Sequence, residues 1–415
     1  MMGMHSGKEG EFVTSFLRAG MLVILLAGAC RRSPATAGPS LPAVPPSPIA
    51  HVFVIVLENQ GYETTFGADS RAPYLADTMV AAGALLRQYY GIGHFSLDNY
   101  IAMISGIAPN AETQGDCRTY REFTETGIAP DGQPIGHGCI YPAHVATIAN
   151  QLTARHRTWK GYMEDMGKDP RREAATCGHP PIGAPDGTQH AAANDQYATR
   201  HDPFMYFHAI IDSSVCRTNV VELHRLESDL QVADSTPNFA FVVPNLCHDG
   251  HDRECADGEP GGLTAADRFL AHWVPLITHA PAFRDGLLIV VFDEAAGADA
   301  SACCDEPSGP NVEHPGIAGP GGGRTGAVLL SPFIAPGAVS DEPYNHYALL
   351  RSLEDVFGLP YLGYAGRPGL ASFGADVHRR VVGPVATTRT ATLRSDRAGP
   401  LAARARSRRT AQPPR

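Results

Sequence analysis

With 415 residues, 43% of them hydrophobic, the chain can bury a full core, and its length suits one large α/β domain with loop insertions better than two independent domains. The formal net charge of −10 argues against a binder of nucleic-acid backbones, which needs a basic surface to release counterions. Nucleic acid is therefore not an expected partner.

At the amino terminus, Lys8 and Arg18 precede the apolar run Met21-Leu-Val-Ile-Leu-Leu-Ala-Gly-Ala29, which stops at Cys30. The run is too short for a permanent membrane-spanning helix, so residues 1–30 read as an export signal. Small residues before a cysteine, Ala27-Gly28-Ala29-Cys30, also resemble a bacterial lipoprotein cleavage site with the usual leucine displaced by one position. A lipid anchor at Cys30 thus stands beside simple release, and the expected location is secreted, periplasmic or cell-envelope. Residues 31–49, with Pro34, Pro39, Pro42, Pro45, Pro46 and Pro48, form an extended spacer. The main domain is expected over 50–383, followed by a solvated basic tail over 384–415 with little to bury.

Within the domain, the β-branched runs 52–57, 239–243 and 287–292 predict buried strands, with a shorter one at 327–330. Helical spacing is found over 73–86, 98–105, 143–156, 264–279 and 345–357. This alternation predicts an α/β fold with a mostly parallel central sheet and helices on both faces. Regions 107–142, 164–200 and 295–325, rich in Gly, Pro, Asp and Cys, predict long surface insertions. Beyond Cys30 eight cysteines remain, at 117, 139, 177, 216, 247, 255, 303 and 304. An even count in an exported chain predicts disulfides, with 117–139 and 247–255 as local closures. A structural zinc site would want two-residue spacing between cysteines, which no pair has.

In an open parallel sheet, ligands bind at the carboxyl ends of the strands. The run 52–57 leads into Glu58-Asn59, 239–243 into Pro244-Asn245-Leu246-Cys247-His248-Asp249-Gly250-His251-Asp252, and 287–292 into Asp293-Glu294. Three strands ending in carboxylates, amides and imidazoles predict a metal or anion site on one sheet edge. The segment His94-Phe95-Ser96-Leu97-Asp98-Asn99-Tyr100 places Ser96 at the start of a helix, where free N–H groups favour an anion. A serine there is most often a simple helix cap. Glu58 and Asp293 are what tip Ser96 towards chemistry.

Taken in order, Glu58-Asn59, His94-x-Ser96-Leu97-x-Asn99-Tyr100, Pro244-Asn245-x-x-His248-Asp249-x-His251-Asp252 and Phe292-Asp293-Glu294 resemble the bacterial phosphoesterase family of secreted acid phosphatases and phospholipases C, within the alkaline phosphatase superfamily. The resemblance covers about residues 50–366 and extends to Gly321-Gly-Gly-Arg324, Leu330-Ser-Pro-Phe333 and Tyr344-Asn-His346-Tyr347. It implies an alkaline phosphatase-like fold and attack on phosphorus by Ser96, whose hydroxyl needs a metal or an adjacent base. Glu58, Asn59, Asp293 and Glu294, completed by Ser96, are the expected metal ligands. Asn99 is expected to donate to a phosphoryl oxygen, and His94, His248 and His251 to donate further or to protonate the leaving oxygen. His201 is a further candidate for lining the site. His346 is read as a helix cap, Arg324 as either a phosphate contact or part of a turn, and Asp249 and Asp252 as partners of histidines or metal ligands.

Many members of that superfamily bind two zinc ions through Asp-His pairs, and this sequence has Asp293-Glu294 where such a pair would be expected. Carboxylate in place of imidazole implies one divalent cation, with calcium, magnesium, manganese and zinc all open. The implied reaction is hydrolysis of a small phosphate monoester through a phosphoserine, with phospholipase C or another phosphodiesterase acting on a phospholipid headgroup as the alternative. A metal-binding lipoprotein without catalysis is the reading from another class, and it leaves the Ser96/Asn99 pair unexplained.

Overall fold

The computed structural model describes residues 47–297 and 299–378. The export signal, Cys30, the spacer up to residue 46 and the basic tail lie outside them. Among the described residues no helix is long and apolar enough to cross a membrane.

Eight strands form the main sheet: β1 His51–Leu57, β2 Ala84–Leu86, β3 Trp159–Met163, β4 Val220–Glu222, β5 Phe239–Val243, β6 Gly286–Phe292, β7 Ala327–Leu330 and β8 Ala338–Ser340. Their order across the sheet is β8-β2-β7-β6-β1-β5-β3-β4. All run parallel except β7, which is antiparallel to both its neighbours. Along β1 the side chains alternate: Val52, Val54 and Val56 enter one core, and Phe53, Ile55 and Leu57 enter the other. A strand buried on both faces needs a continuous apolar run, which is why β1, β5 and β6 stand out in the sequence.

The first face is covered by α1 Ser96–Ser105, α2 Ile148–Ala154 and α4 His346–Phe357, and the second by α3 Gly262–Thr278. All ten residues of α1 are buried. Leu97, Ile101, Met103 and Ile104 are each at most 1% exposed, contributing roughly 1.5–3 kcal/mol apiece. This burial fixes the helix that carries Ser96. Helix α4 starts at Asn345, whose side chain accepts from Ala348 N at 3.0 Å.

The helix expected over 73–86 is not continuous. Tyr74–Met79 is π-helical, one α-turn follows at Val80–Ala82, and the chain then enters β2 between β7 and β8. Gly83 makes this switch: a Cβ there would lie 2.1 Å from the Leu329 carbonyl oxygen, so only glycine lets the chain approach β7 so closely. Strands β3, β4 and β8 were also not legible. They are short, and β3 carries Lys160 and Gly161; cross-strand pairing rather than local pattern makes them strands. The eight described cysteines pair as Cys117–Cys139, Cys177–Cys216, Cys247–Cys255 and Cys303–Cys304. Both expected local closures are present; Cys117–Cys139 and Cys303–Cys304 lie within long insertions, Cys177–Cys216 leaves one, and Cys247–Cys255 closes the loop after β5.

Gly83→Ala should destabilise the protein by at least about 1–3 kcal/mol through overpacking against β7. Gly115→Ala, where an added Cβ meets nothing within 4 Å, should stay within about 0.5 kcal/mol of the parent. Chemical denaturation of both variants compares the two, and equal midpoints would contradict the close approach at Gly83.

Candidate active site

Strands β6, β1 and β5 are neighbours, so the polar residues beyond their carboxyl ends arrive side by side. Backbone bonds lock the three exits together. Glu58 N donates to Asp249 O at 2.8 Å, Asp293 N to Leu57 O at 2.9 Å, and Asn59 N to Asp293 Oδ1 at 3.0 Å. Ser96 opens α1 opposite this edge, and its Oγ donates to Glu58 Oε2 at 2.7 Å. Phe95, just before it, has φ 84°, a conformation that costs a non-glycine residue of order 1–3 kcal/mol and persists only where its surroundings enforce it.

Asn99 does the enforcing. Its Oδ1 accepts from Ile92 N at 2.7 Å and Gly93 N at 3.1 Å, and its Nδ2 donates to the carbonyls of Gly93 at 2.9 Å and Phe95 at 3.2 Å. All four hydrogen-bonding positions of the amide are used inside the 92–95 turn. The expected phosphate donor is therefore a positioning residue that shapes the backbone leading to Ser96.

Beneath Ser96, Glu58, His201 and Asp249 offer ligand atoms that all lie within 4.8 Å of one another. His201 Nε2 is 3.3 Å from Glu58 Oε1, and its Nδ1 is 3.2 Å from Asp249 Oδ2. The ring stacks on Tyr100 at 5.3 Å between centroids. Glu58 Oε1, Asp249 Oδ2, Asp293 Oδ2 and both ring nitrogens of His201 are buried without a hydrogen-bond partner. Burial, reinforced by Asp293 and Asp249, holds the Glu58 carboxyl well above the usual range. Burial likewise raises Asp249 and pushes Asp293 up to about 6, while it drives His201 well below its ordinary value. Two buried carboxyls flanking a neutral imidazole, with a third, Asp293, close enough to raise both and with unpartnered donor atoms on all of them, fit a divalent cation.

This group differs from the expected ligand set. Glu58 remains, His201 and Asp249 join it, Asp293 lies beside the group with Oδ2 unpartnered, and Ser96 borders it through Glu58. Asn59 donates through Nδ2 to Glu58 Oε2 at 3.1 Å and faces the cavity above. Glu294 lines the same cavity as Asn59 and Ser96, and its Oε2, 3.2 Å from His94 Nδ1, is likewise buried without a hydrogen-bond partner.

The cavity over Ser96 measures about 440 Å³, and its lining includes Asn59, His94, Ser96, Asp116, His251 and Glu294. His94 Nε2 donates to the Asp299 carbonyl at 2.9 Å. His251 Nδ1 meets Asp252 Oδ1 at 2.7 Å, and Arg200 Nη2 lies 3.2 Å from its Nε2. His248 does not join them. Its Nδ1 bonds Glu164 at 2.9 Å, and it lines a different cavity with His272 and Trp273. Asn245 Oδ1 accepts from Cys247 N and His248 N, and this turn sends His248 away while leaving Asp249 pointed inward.

His346 comes directly after the Asn345 cap and is itself a strut. Its Nε2 meets the Asp293 carbonyl at 2.6 Å and its Nδ1 the Tyr89 hydroxyl at 3.0 Å, with burial pushing its pKa down to about 4. Arg324 pairs with Glu63 and covers the Tyr62 ring, away from the cavity. Asp116 and Arg200 reach the site from insertions, and no local motif marked them.

Residues 68–360 match the model of the Phosphoesterase family. The chain is 27% identical to the phosphate-repressible acid phosphatase of Penicillium chrysogenum, covering 77% of this chain and 64% of that protein. It is 24% identical to the phosphatidylinositol-3-phosphatase of Mycobacterium tuberculosis, covering 76% and 79%. It spans about three fifths of the length of the fungal acid phosphatases it matches. A solved protein in the alkaline phosphatase superfamily from Vibrio parahaemolyticus aligns over 78% of this chain and 72% of its own, at 12% identity and a TM-score of 0.45. That likeness is too distant to bear on the site.

The buried carboxyls link stability to pH. Asp293 holds its proton up to about pH 6 when folded and only to about 3.9 when unfolded, so the cation-free protein loses stability as pH rises from about 4 to 6. Glu58 and Asp249 act in the same direction. A divalent cation should offset this loss, raising the melting temperature more at pH 8 than at pH 5. Thermal melts with manganese or with chelator check this, and equal shifts at both pH values would contradict binding through these carboxylates.

Proposed function

Because the chain belongs to the Phosphoesterase family, we propose that it hydrolyses small phosphate monoesters, with Ser96 as the nucleophile and a divalent cation held by Glu58, His201 and Asp249 beside the unpartnered carboxylate of Asp293. The observation that carries this reading is the 2.7 Å bond from Ser96 Oγ to Glu58 Oε2 at the start of a buried helix, beside orphaned carboxylate oxygens. Bound there, the cation would lower the hydroxyl pKa and neutralise charge on the phosphoryl group.

The rest is the work of this chain's residues. Glu58 Oε2 is placed to take the proton as Ser96 Oγ attacks phosphorus. The first turn of α1, whose Leu97 N–H is held by Asp116, offers its remaining backbone N–H groups and a favourable dipole to an anion beside Ser96. Asn59 and His94, both lining the cavity, border the space the phosphoryl group would fill. Water then hydrolyses the phosphoserine. The names of the relatives, acid phosphatase and phosphatidylinositol-3-phosphatase, support a monoester over a diester. The disulfides support a location outside the reducing cytoplasm.

Purified protein supplied with magnesium, manganese, calcium or zinc should hydrolyse p-nitrophenyl phosphate in preference to its bis ester. Ser96→Ala should lower kcat/KM by at least about 10³-fold, whereas His248→Ala should leave it unchanged. Full activity in Ser96→Ala would sink the mechanism, and preference for the bis ester would shift the reading to a phosphodiesterase.

A further inference from the structure

The proposed reaction releases an alkoxide, which needs a proton. Glu58, engaged with the nucleophile, is not free to supply it. Four other titratable side chains line the cavity: His94, Asp116, His251 and Glu294. In His251, Nδ1 faces Asp252 and Nε2 faces the Arg200 guanidinium, which only donates, so that nitrogen is an acceptor. In His94, Nε2 is engaged by the Asp299 carbonyl, and Nδ1 and Glu294 Oε2 face each other.

Asp116 is differently placed. Its Oδ1 accepts from Leu97 N at 3.2 Å, one residue past the nucleophile. Its Oδ2 makes no hydrogen bond, because Arg200 Nε is 3.8 Å away. The side chain is 15% exposed, and it lines the cavity that holds Ser96. Its backbone is pinned: φ is 55° at Asp116 and 47° at Cys117, Cys117 is bonded to Cys139, and Gln189 Nε2 donates to the Asp116 carbonyl at 2.9 Å. Two consecutive left-handed residues are an energetically unfavourable way to aim one carboxyl.

We propose that Asp116 is the general acid that protonates the leaving-group oxygen; this rests on the reading of Ser96 as nucleophile. The bond from Ser96 Oγ to phosphorus forms as the serine proton passes to Glu58. The ester P–O bond breaks, its electron pair goes to the leaving oxygen, and the Asp116 proton joins that oxygen to release the alcohol. Water then attacks the phosphoserine and returns a proton to Asp116, and Ser96 recovers its own from Glu58. The net change is ester plus water to alcohol plus phosphate. Burial raises the Asp116 carboxyl above its ordinary value, against the pull of Arg200, the Leu97 N–H, His251 and Arg118, while the carboxyls of Asp98 and Glu294 lie on the same side. The proton is thus retained further up the pH scale.

Asp116→Asn keeps an oxygen for Leu97 N–H and removes the proton. Nitrophenolate leaves readily without protonation and an alkoxide does not. With divalent cation present, the full-length variant should keep kcat/KM on p-nitrophenyl phosphate within about tenfold of wild type, with kcat lowered by slower hydrolysis of the phosphoserine, and lose about 10²–10⁴-fold in kcat/KM on glycerol phosphate. Asp116→Glu should restore part of the glycerol phosphate activity. Equal losses on both esters would leave Asp116 a positioning residue, and undiminished activity on both would remove it from the mechanism; either overturns the proposal. Retained nitrophenyl phosphate turnover also shows that the variant folds. A wild type inactive on both esters would instead overturn the phosphatase reading, and this proposal with it.

Discussion

The mutual repulsion of three buried carboxyls, Glu58, Asp249 and Asp293, is the constraint on which the rest of the site depends. They cannot move apart, because they lie just past the ends of adjacent strands whose backbones are bonded to one another at 2.8–3.0 Å. Away from water such a group must hold protons or hold a cation. His201, kept neutral by burial and fixed by its stack on Tyr100, adds a nitrogen donor without adding charge. The sheet thus does more than support the site, since its register fixes the spacing between charges that the site must balance.

Around this group, much of the polar machinery is architecture. Asn99 commits every hydrogen bond to the turn before Ser96, and that turn imposes the unfavourable φ of Phe95. His346 steadies the Asp293 carbonyl from α4, which ties the metal-ligand edge to the helix layer behind it. His251 lines the cavity with both ring nitrogens engaged, and His94 with Nε2 bonded and Nδ1 facing Glu294. A histidine beside a reactive serine invites a role in proton transfer, but here the hydrogen-bond pattern leaves a carboxyl from an insertion, Asp116, with the free oxygen.

The insertions therefore matter as much as the sheet. Asp116, Arg200 and His201 all arrive from segments that read as loops; Cys117–Cys139 closes the first of these on itself, and Cys177–Cys216 ties the second to the chain just before β4. A loop carrying part of a site has to be fixed by something other than strand pairing; here cross-links, buried ion pairs and packing on α1 serve that purpose.

Legibility in the sequence depends on how far each signal reaches along the chain. Strands β1, β5 and β6, the residues at their ends, Ser96 at a helix start and two local disulfides were legible, because a strand buried on both faces is a local run of apolar residues and the polar residues at its end are its neighbours in sequence. The short strands β2, β3, β4 and β8 were not, since pairing with distant neighbours creates them, and β2 depends on the contact of Gly83 with Leu329. Local pattern was enough for the layered α/β plan and for the sheet edge where polar residues collect, with Glu58 and Asp293 upon it and Ser96 opposite. Distant partners alone bring His201 and Asp249 beside Glu58, turn His248 into a different cavity and commit the Asn99 amide to the turn before Ser96. The direction of a side chain beyond the end of a strand is set by turns, stacking and hydrogen bonds to residues far away in the chain, and no local pattern encodes those partners.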